Sequence, residues 1–264
     1  MSAMPDSEVL ARRAENNPIV RTLARVGNAA IGLLHILIGV IAIAIALRTG
    51  GGNADQSGAL QALVKVPGGL FVVWAVIVGL IALTLWQILQ TVVARKAWKR
   101  VSEIAKGVVY LVLAITAITV AFGGGSNSSA SEKSASAKLL GTPGGVFVLA
   151  LIGLIVVAVG IGFLVSGIRK TFERGMRLPP NALAPATVTL GRVGYIAKGI
   201  ALGIVGGLIV AGAVTYDPGK ASGLDGALKS LTQLPYGVFL LLAIGLGLIA
   251  YGVFWCVRAV AIRL

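Results

Sequence analysis

The sequence is poor in the residues that build catalytic and metal-binding sites. It contains one cysteine, Cys256, and one histidine, His35, among 264 residues. A single cysteine excludes an internal disulfide and a cysteine-based metal site. We recognise no nucleophile–base pair, phosphate-binding loop or Cys/His cluster in the chain. The sequence therefore predicts neither enzymatic activity nor a bound cofactor or metal ion.

Acidic residues are also scarce. Nine Asp and Glu stand against 23 Lys and Arg, which gives a formal net charge of +14. The basic residues collect beside the ends of apolar runs instead of along one soluble face. This distribution favours anionic lipid head groups as partners over nucleic acid.

Apolar residues make up 57% of the chain and charged residues 12%, and the mean hydropathy is +0.94. Soluble proteins have about 45–50% apolar and about 25% charged residues. The apolar residues form six blocks of about 20 residues, the length that crosses a bilayer as a helix. The blocks are continuously apolar and do not alternate, which excludes barrel strands. We predict an all-α integral membrane protein with six transmembrane helices.

One two-helix pattern occurs three times. Each copy opens with Arg-Val, has a glycine seven residues after the Arg (Gly32, Gly107 and Gly199), and starts its second helix at a proline (Pro67, Pro143 or Pro235). The predicted divisions are a tail (1–24), hairpin repeats (25–95, 96–170 and 192–264) and a linker (171–191). Each repeat crosses twice, so all three insert with the same polarity. A ring with approximate threefold symmetry and a less regular bundle both remain open.

The basic residues predict the orientation. Of the 23 Lys and Arg residues, only six lie in the three loops inside the hairpins: Arg48, Lys65, Lys133, Lys138, Lys220 and Lys229. By the positive-inside rule, both termini are expected in the cytoplasm.

The third copy carries two further motifs. It reads Arg-Val-Gly-Tyr-x-x-Lys-Gly from Arg192, and later Gly-Leu-Asp-Gly-Ala-Leu before Gln-x-Pro-Tyr-Gly. With the three tandem units, these motifs resemble the bacterial membrane proteins grouped as domain of unknown function 1206. The resemblance extends from about Arg25 to Arg258 and is strongest in the third copy, and the middle copy lacks Gly-Ala-Leu. It implies three paired-helix repeats in the bacterial cytoplasmic (inner) membrane and no established activity.

Five basic residues near helix ends are candidates for lipid binding: Arg25, Arg100, Lys106, Arg192 and Lys198. We expect the arginines to be interface anchors, and we expect Lys106 and Lys198 to extend to the head groups. Glu103 is close enough in sequence to pair with Lys106.

Other positions have structural and functional interpretations. His35 is a candidate intramembrane polar site, but its repeat equivalents are Tyr110 and Leu202. A small-residue stripe at Gly199, Gly203 and Gly207 predicts close helix packing or self-association.

Two acidic residues precede the Gly-Ala-Leu segments. Asp55 and Asp225 are expected to cap short helices, with a cation or substrate entrance site as the alternative. If a functional site exists, we expect it where the three copies differ.

Two functions stay open. The first is a non-enzymatic accessory or structural component that acts through a membrane-protein partner or lipids. The alternative is a small-molecule or ion transporter or channel built from three hairpins. The odd-numbered helices lack the proline of mitochondrial carriers, which speaks against the second.

Overall fold

A computed structural model describes residues 18–50, 52–94, 97–125, 127–173 and 183–261. These residues form nine α-helices and a short 3-10 helix, Thr171–Glu173. The α-helices are α1 (Pro18–Ala46), α2 (Gln56–Val64), α3 (Gly69–Val93), α4 (Ala97–Ala121), α5 (Ser128–Leu140), α6 (Gly145–Arg169), α7 (Leu183–Val214), α8 (Gly223–Leu231) and α9 (Gly237–Ala261).

The six long helices, α1, α3, α4, α6, α7 and α9, are each long and apolar enough to cross a membrane. The prediction of an all-helical protein with six spans in three hairpins is therefore confirmed. The longest helix, α7, has 32 residues. At about 1.5 Å per residue it extends roughly 48 Å, more than the roughly 30 Å hydrocarbon core. Its first turns therefore project beyond the apolar layer.

Two predicted boundaries change. Helix α7 begins at Leu183, inside the segment 171–191 that was predicted as a linker. Pro185 lies in the first turn of α7, where a missing backbone N–H costs no helical hydrogen bond. Helix α1 begins at Pro18, within the predicted tail, and residues 1–17 of that tail lie outside the described residues.

Each hairpin turns at the same three-residue corner. After the proline comes a residue with positive φ: Gly68 and Gly144 at +77° and Tyr236 at +62°. The next residue is always glycine: Gly69, Gly145 or Gly237. A Cβ on any of these glycines would collide with the carbonyl group of a leucine in the last turn of the preceding short helix, Leu63, Leu139 or Leu231. The repeated glycine therefore lets each short helix lie against its turn.

The short helices α2, α5 and α8 gather at one end of the bundle, which we call the capped end. They are the segments predicted before each proline. Helix α2 buries one face, including Leu60 and Leu63, and α8 buries Leu228 and Leu231. Helix α5 is polar and has one buried residue, Ser136. The opposite end, marked by Arg25, Arg100 and Arg192, is the basic end.

The long helices pack mainly between repeats. The second helix of each repeat lies against the first helix of the next: α3 on α4, α6 on α7, and α9 on α1. Within repeats, α7 contacts α9 and α1 contacts α3, whereas α4 and α6 make at most marginal contact along their described lengths. The six helices therefore form an open ring in the order α4–α3–α1–α9–α7–α6. The opening lies in the middle repeat.

Glycines form two of the three interfaces between repeats. A Cβ on Gly39 of α1 would lie 2.5 Å from the carbonyl oxygen of Gly245 on α9. A Cβ on Gly153 of α6 would lie 2.9 Å from the carbonyl oxygen of Gly206 on α7. Each of the four helices carries two such glycines seven residues apart: Gly32 and Gly39 in α1, Gly245 and Gly252 in α9, Gly153 and Gly160 in α6, and Gly199 and Gly206 in α7. Such spacing keeps them on one helix face, so the backbones touch.

The three glycines of the stripe predicted on α7 have different surroundings. Gly199 faces Gly160 and Leu164, as packing requires. A Cβ on Gly203 or Gly207 would meet no heavy atom within 4 Å, so these two positions do not need glycine for space. The packed stripe follows a seven-residue period, with Gly206 as its second member.

The third interface, between α3 and α4, has lost most of these glycines. The α3 positions equivalent to Gly153 and Gly160 are Ile77 and Thr84. On α4, Gly107 is retained, but Ala114 replaces the second glycine. Larger side chains at these positions keep the two backbones further apart.

A second set of glycines explains the opening between α4 and α6. Gly79 of α3 crosses α1 at Gly27, because its Cβ would lie 3.4 Å from the Gly27 Cα. In the third repeat, α9 crosses α7 at Gly247, because a Cβ there would collide with the Cβ of Ala197. The middle repeat has Ile155 at the equivalent position, and this side chain is exposed. The α4–α6 crossing therefore lacks the glycine that the other two hairpins use.

We predict that Gly160→Leu destabilises the bundle, because a Cβ there lies 2.9 Å from backbone atoms of both Gly199 and Gly203. The loss in free energy of unfolding should be about 1–3 kcal/mol, the usual cost of overpacking. The matched control is Gly162→Leu on the same helix, where a Cβ meets nothing within 4 Å. Thermal unfolding in detergent should lower Tm for the first variant only. Equal Tm values for both variants would contradict the α6–α7 interface.

Candidate functional site

A polar cluster lies inside the bundle where α1, α7 and α9 meet. The ammonium of Lys198 on α7 is 3.1 Å from Nε2 of His35 on α1. It also donates to the hydroxyl oxygen of Tyr251 on α9, at 3.3 Å. The side chain of Lys198 thus links α1 and α9, the first and last spanning helices.

The histidine tautomer follows from its second contact. His35 Nδ1 is 2.8 Å from the carbonyl oxygen of Ile31, which can only accept a hydrogen bond. Nδ1 therefore carries the proton of the neutral imidazole. Nε2 is then the acceptor, and the Lys198 ammonium donates to it. In this assignment each nitrogen of the His35 ring has a partner of the matching kind.

Aromatic rings enclose the ammonium. Lys198 Nζ lies 4.4 Å from the centre of the Tyr251 ring and 4.9 Å from that of Phe163 on α6. Cation–π attraction of this kind strengthens when the cation is withdrawn from water. The His35 ring is tilted against Tyr251 with centroids 4.8 Å apart. A neutral imidazole, a phenol oxygen and two ring faces therefore stabilise the charge.

The rings continue toward the basic end. Tyr195 stacks on Phe172 at 4.9 Å, and Phe254 meets Phe172 edge to face at 5.2 Å. Gly194 permits this arrangement, because a Cβ there would collide with the backbone of Tyr251. The short 3-10 helix contributes Phe172 and so anchors the chain that follows α6.

The structure overturns the interpretation of Lys198 as a residue that extends to the head groups. Its ammonium points into the bundle and is held by His35 and Tyr251. Arg25, Arg100 and Arg192, in contrast, are exposed. The predicted pair of Glu103 and Lys106 is confirmed, with both carboxylate oxygens 2.9 Å from Nζ.

Sequence reasoning placed His35 and Lys198 in separate candidate groups and did not single out Tyr251. The three residues lie on different repeats or different helices, and 163 residues separate His35 from Lys198. One signal was available: Tyr251 has Leu83 and Val159 at the equivalent positions of the other copies. Each residue of the cluster occupies a repeat position at which the three copies do not all have the same residue.

We predict that His35→Leu destabilises the protein, because it leaves the Lys198 ammonium without one acceptor. The cost should be about 1.5–3 kcal/mol, the range for hydrogen bonds to charged groups. Combined with Lys198→Met, the same change should cost much less, because no charge is left unpaired. Unfolding free energies of the two single variants and the double variant measure this coupling. Additive costs would show that the two side chains do not interact.

A second polar network joins the short helices at the capped end. Asp225 of α8 accepts a hydrogen bond from the backbone N–H of Ala54 at 2.7 Å. It also pairs with Lys229 at 2.8 Å and accepts from Ser129 of α5 at 3.4 Å. Residues from all three repeats therefore meet at one carboxylate that is almost fully buried.

The capping prediction holds for one of the two aspartates. Asp55 is the N-cap of α2 and accepts from the N–H of Gly58 at 2.8 Å and the hydroxyl of Ser57 at 2.7 Å. Asp225 lies in the first turn of α8, whose N-cap is Ser222. Its carboxylate binds the neighbouring repeat, so its role is to join repeats.

Glu132 of α5 lies beside this network. Its carboxylate approaches the backbone at Gly223, where a Cβ would collide with it. Burial raises the pKa of Glu132 from its ordinary value of 4.5 to about 7, and the carboxylates of Asp55 and Asp225 add to the shift. The residue therefore changes charge near neutral pH, outside the membrane-spanning helices.

We predict that the stability of the protein falls as pH rises from 4.5 to about 7. In this window the folded chain retains the Glu132 proton, while the unfolded chain has released it. The charged groups that act on Glu132 are the carboxylates of Asp55 and Asp225, and Asp225 is itself paired with Lys229. Tm measured against pH in wild type and Glu132→Gln tests this. The variant should lose the slope, and an unchanged slope would contradict the assignment.

Comparison with known proteins agrees with the repeat. A family model described as Domain of Unknown Function (DUF1206) matches residues 26–94, 101–170 and 193–261. A protein of Bacillus subtilis (strain 168) described as "Uncharacterized protein YxxB" is 30% identical over 269 residues, which cover 98% of this chain and 97% of the relative. No solved structure matches. The three matched segments correspond to the three hairpins, and the chain belongs to the DUF1206 family.

Proposed function

We propose that the protein is a non-enzymatic accessory or structural component of the bacterial cytoplasmic membrane, and that it acts through a protein partner or lipids. The open middle repeat is the observation that carries this proposal. Among the long helices, α4 packs mainly against α3, and α6 packs mainly against α7. A transmembrane helix of a partner would find two unpartnered faces there.

The interior of the bundle supports a structural role. Buried side chains of α1, α3, α4, α7 and α9 join into one apolar cluster that reaches the short helices α2 and α8. Ile38, Val73, Ala117 and Ile244 in this cluster are at most 3% exposed. Apolar side chains therefore occupy the space between the helices in the half nearer the capped end.

The basic end supports the lipid part of the proposal. Arg25, Arg100 and Arg192 recur at one position of each repeat and are exposed. Lys106 is partly exposed beside Glu103. Exposed cations at this level attract anionic head groups. We place the basic end and both termini at the cytoplasmic side, in accord with the positive-inside rule.

Transport is the second candidate, and the Lys198 cluster favours it. Charged side chains inside a membrane protein frequently belong to ion or proton pathways. The apolar cluster nearer the capped end argues against a path that continues through the bundle. Solute or proton uptake by proteoliposomes, above that of protein-free vesicles, would decide for transport.

A photo-crosslinking residue placed at Ile155 tests the partner contact in native membranes. Ile155 occupies the hairpin-crossing position that glycine takes in the other repeats, and it is exposed. We expect one discrete protein adduct. The matched control position is Leu246 of α9, which is also exposed. An adduct at the mass of two copies would identify the partner as a second copy. The same adducts at both positions, or lipid adducts alone, would reject a partner at the middle repeat.

A further inference from the structure

A pocket of about 270 Å³ lies between α3 and α4. It occurs at the one interface between repeats that has lost most of its glycines. Thr84 of α3, which lines the pocket, replaces the glycine that closes each of the other two interfaces. Gly107 of α4 faces Gln87 across this gap, and a Cβ there would lie 3.3 Å from the Gln87 Cβ. The space is therefore a consequence of sequence differences between the repeats.

The rim of the pocket is apolar and faces the surrounding bilayer. Ile88 and Val92 of α3 and Val108 of α4 line it, and each is more than half exposed on the bundle surface. Because both helices are membrane-spanning, their exposed apolar faces contact lipid chains. Access to the pocket is therefore from the bilayer. Its volume is near the lower end of ligand pockets, about 300 Å³, and suits part of one lipid.

An acceptor without a donor lies at the wall of the pocket. Gln87 is 7% exposed, and its side-chain carbonyl Oε1 is buried without a hydrogen-bond partner. Such a group is costly in an apolar environment unless a donor reaches it. The equivalent residues in the other repeats are Phe163 and Trp255, which are aromatic. The α3–α4 interface thus has an amide side chain where the other two interfaces have an aromatic ring.

A second buried acceptor lies on the α4 side. Glu103 lines the same pocket and is 8% exposed, and Lys106 approaches both of its carboxylate oxygens. Lys106 is itself partly exposed, so it can turn toward a phosphate. The wall that a visiting molecule meets is therefore almost entirely apolar, and the unpaired Gln87 Oε1 and the Glu103 carboxylate lie just beneath it. A rotation of the Gln87 side chain brings its unpaired oxygen within reach of a molecule in the pocket. Hydrogen-bond donors on an amphiphile complement these two acceptors.

We propose that the α3–α4 pocket binds one bilayer lipid through a hydrogen-bond-donating head group, an ammonium or a hydroxyl, which donates to Gln87 Oε1. The lipid chain lies along the apolar rim of α3 and α4. This inference rests on the lipid part of the proposed function. Lipid retention and the crosslink at Ile155 are separate measurements, so either can fail while the other holds.

The test uses the full-length protein in nanodiscs of three compositions, with bound lipid counted by native mass spectrometry. Phosphatidylethanolamine supplies an ammonium N–H, phosphatidylglycerol supplies hydroxyls, and phosphatidylcholine has neither donor in its head group. Wild type should retain one of the first two at least about fivefold better than phosphatidylcholine, the change expected from one hydrogen bond. The better of the two identifies the head group.

Two variants and a control complete the experiment. Gln87→Leu should abolish the preference and leave phosphatidylcholine retention unchanged. Gly107→Leu should fill the pocket and lower retention of all three lipids. Gly162→Leu on α6, away from the pocket, should behave as wild type. Equal retention of the three lipids by wild type, or an unchanged preference in Gln87→Leu, would overturn the proposal.

Discussion

Direct contact between helix backbones at glycine holds this bundle together. In a bilayer the lipid chains are as apolar as leucine, so helices gain little from burying apolar side chains against each other. The close approach of helix backbones at glycine supplies the van der Waals contacts that stabilise the bundle instead. The glycine pairs of α1 with α9 and of α6 with α7 recur seven residues apart, and they give two interfaces of the same design. Because α1 and α9 are the first and last spanning helices, the contact between them joins the first hairpin directly to the third.

The repeated design also explains the irregular parts. Where glycine is replaced by Ile77 and Thr84, the α3–α4 interface contains a pocket. Where it is replaced by Ile155, α4 and α6 stand apart. The same middle repeat supplies the polar helix α5 and its Glu132, which sits beside the carboxylates of its neighbours. These departures from the repeat thus lie in the middle repeat and on the face of α3 that packs against it, and the proposed contacts with lipid and partner lie there.

The sequence predicts the membrane class, the six spans and the three repeats, because hydropathy and proline positions are local properties. It does not predict how each helix is rotated. Lys198 lies near the basic end in sequence, and only the rotation of α7 decides whether it reaches water or His35. The glycine stripe illustrates the same limit: four-residue spacing through Gly203 is visible in the sequence, but the contact follows Gly199 and Gly206. The capping role of Asp55, which depends on its neighbours alone, was predictable.

The central claim is that α9 packs against α1, and the native cysteine permits a direct test. Cys256 Sγ is 3.9 Å from the carbonyl oxygen of Ala29. Oxidation of Ala29→Cys in membranes should form a disulfide between position 29 and Cys256 within one chain, identified by mass spectrometry of the cleaved protein. Val40→Cys, an exposed position about 16 Å further along α1, should form none. A disulfide only between chains, or no disulfide at position 29, would contradict the arrangement.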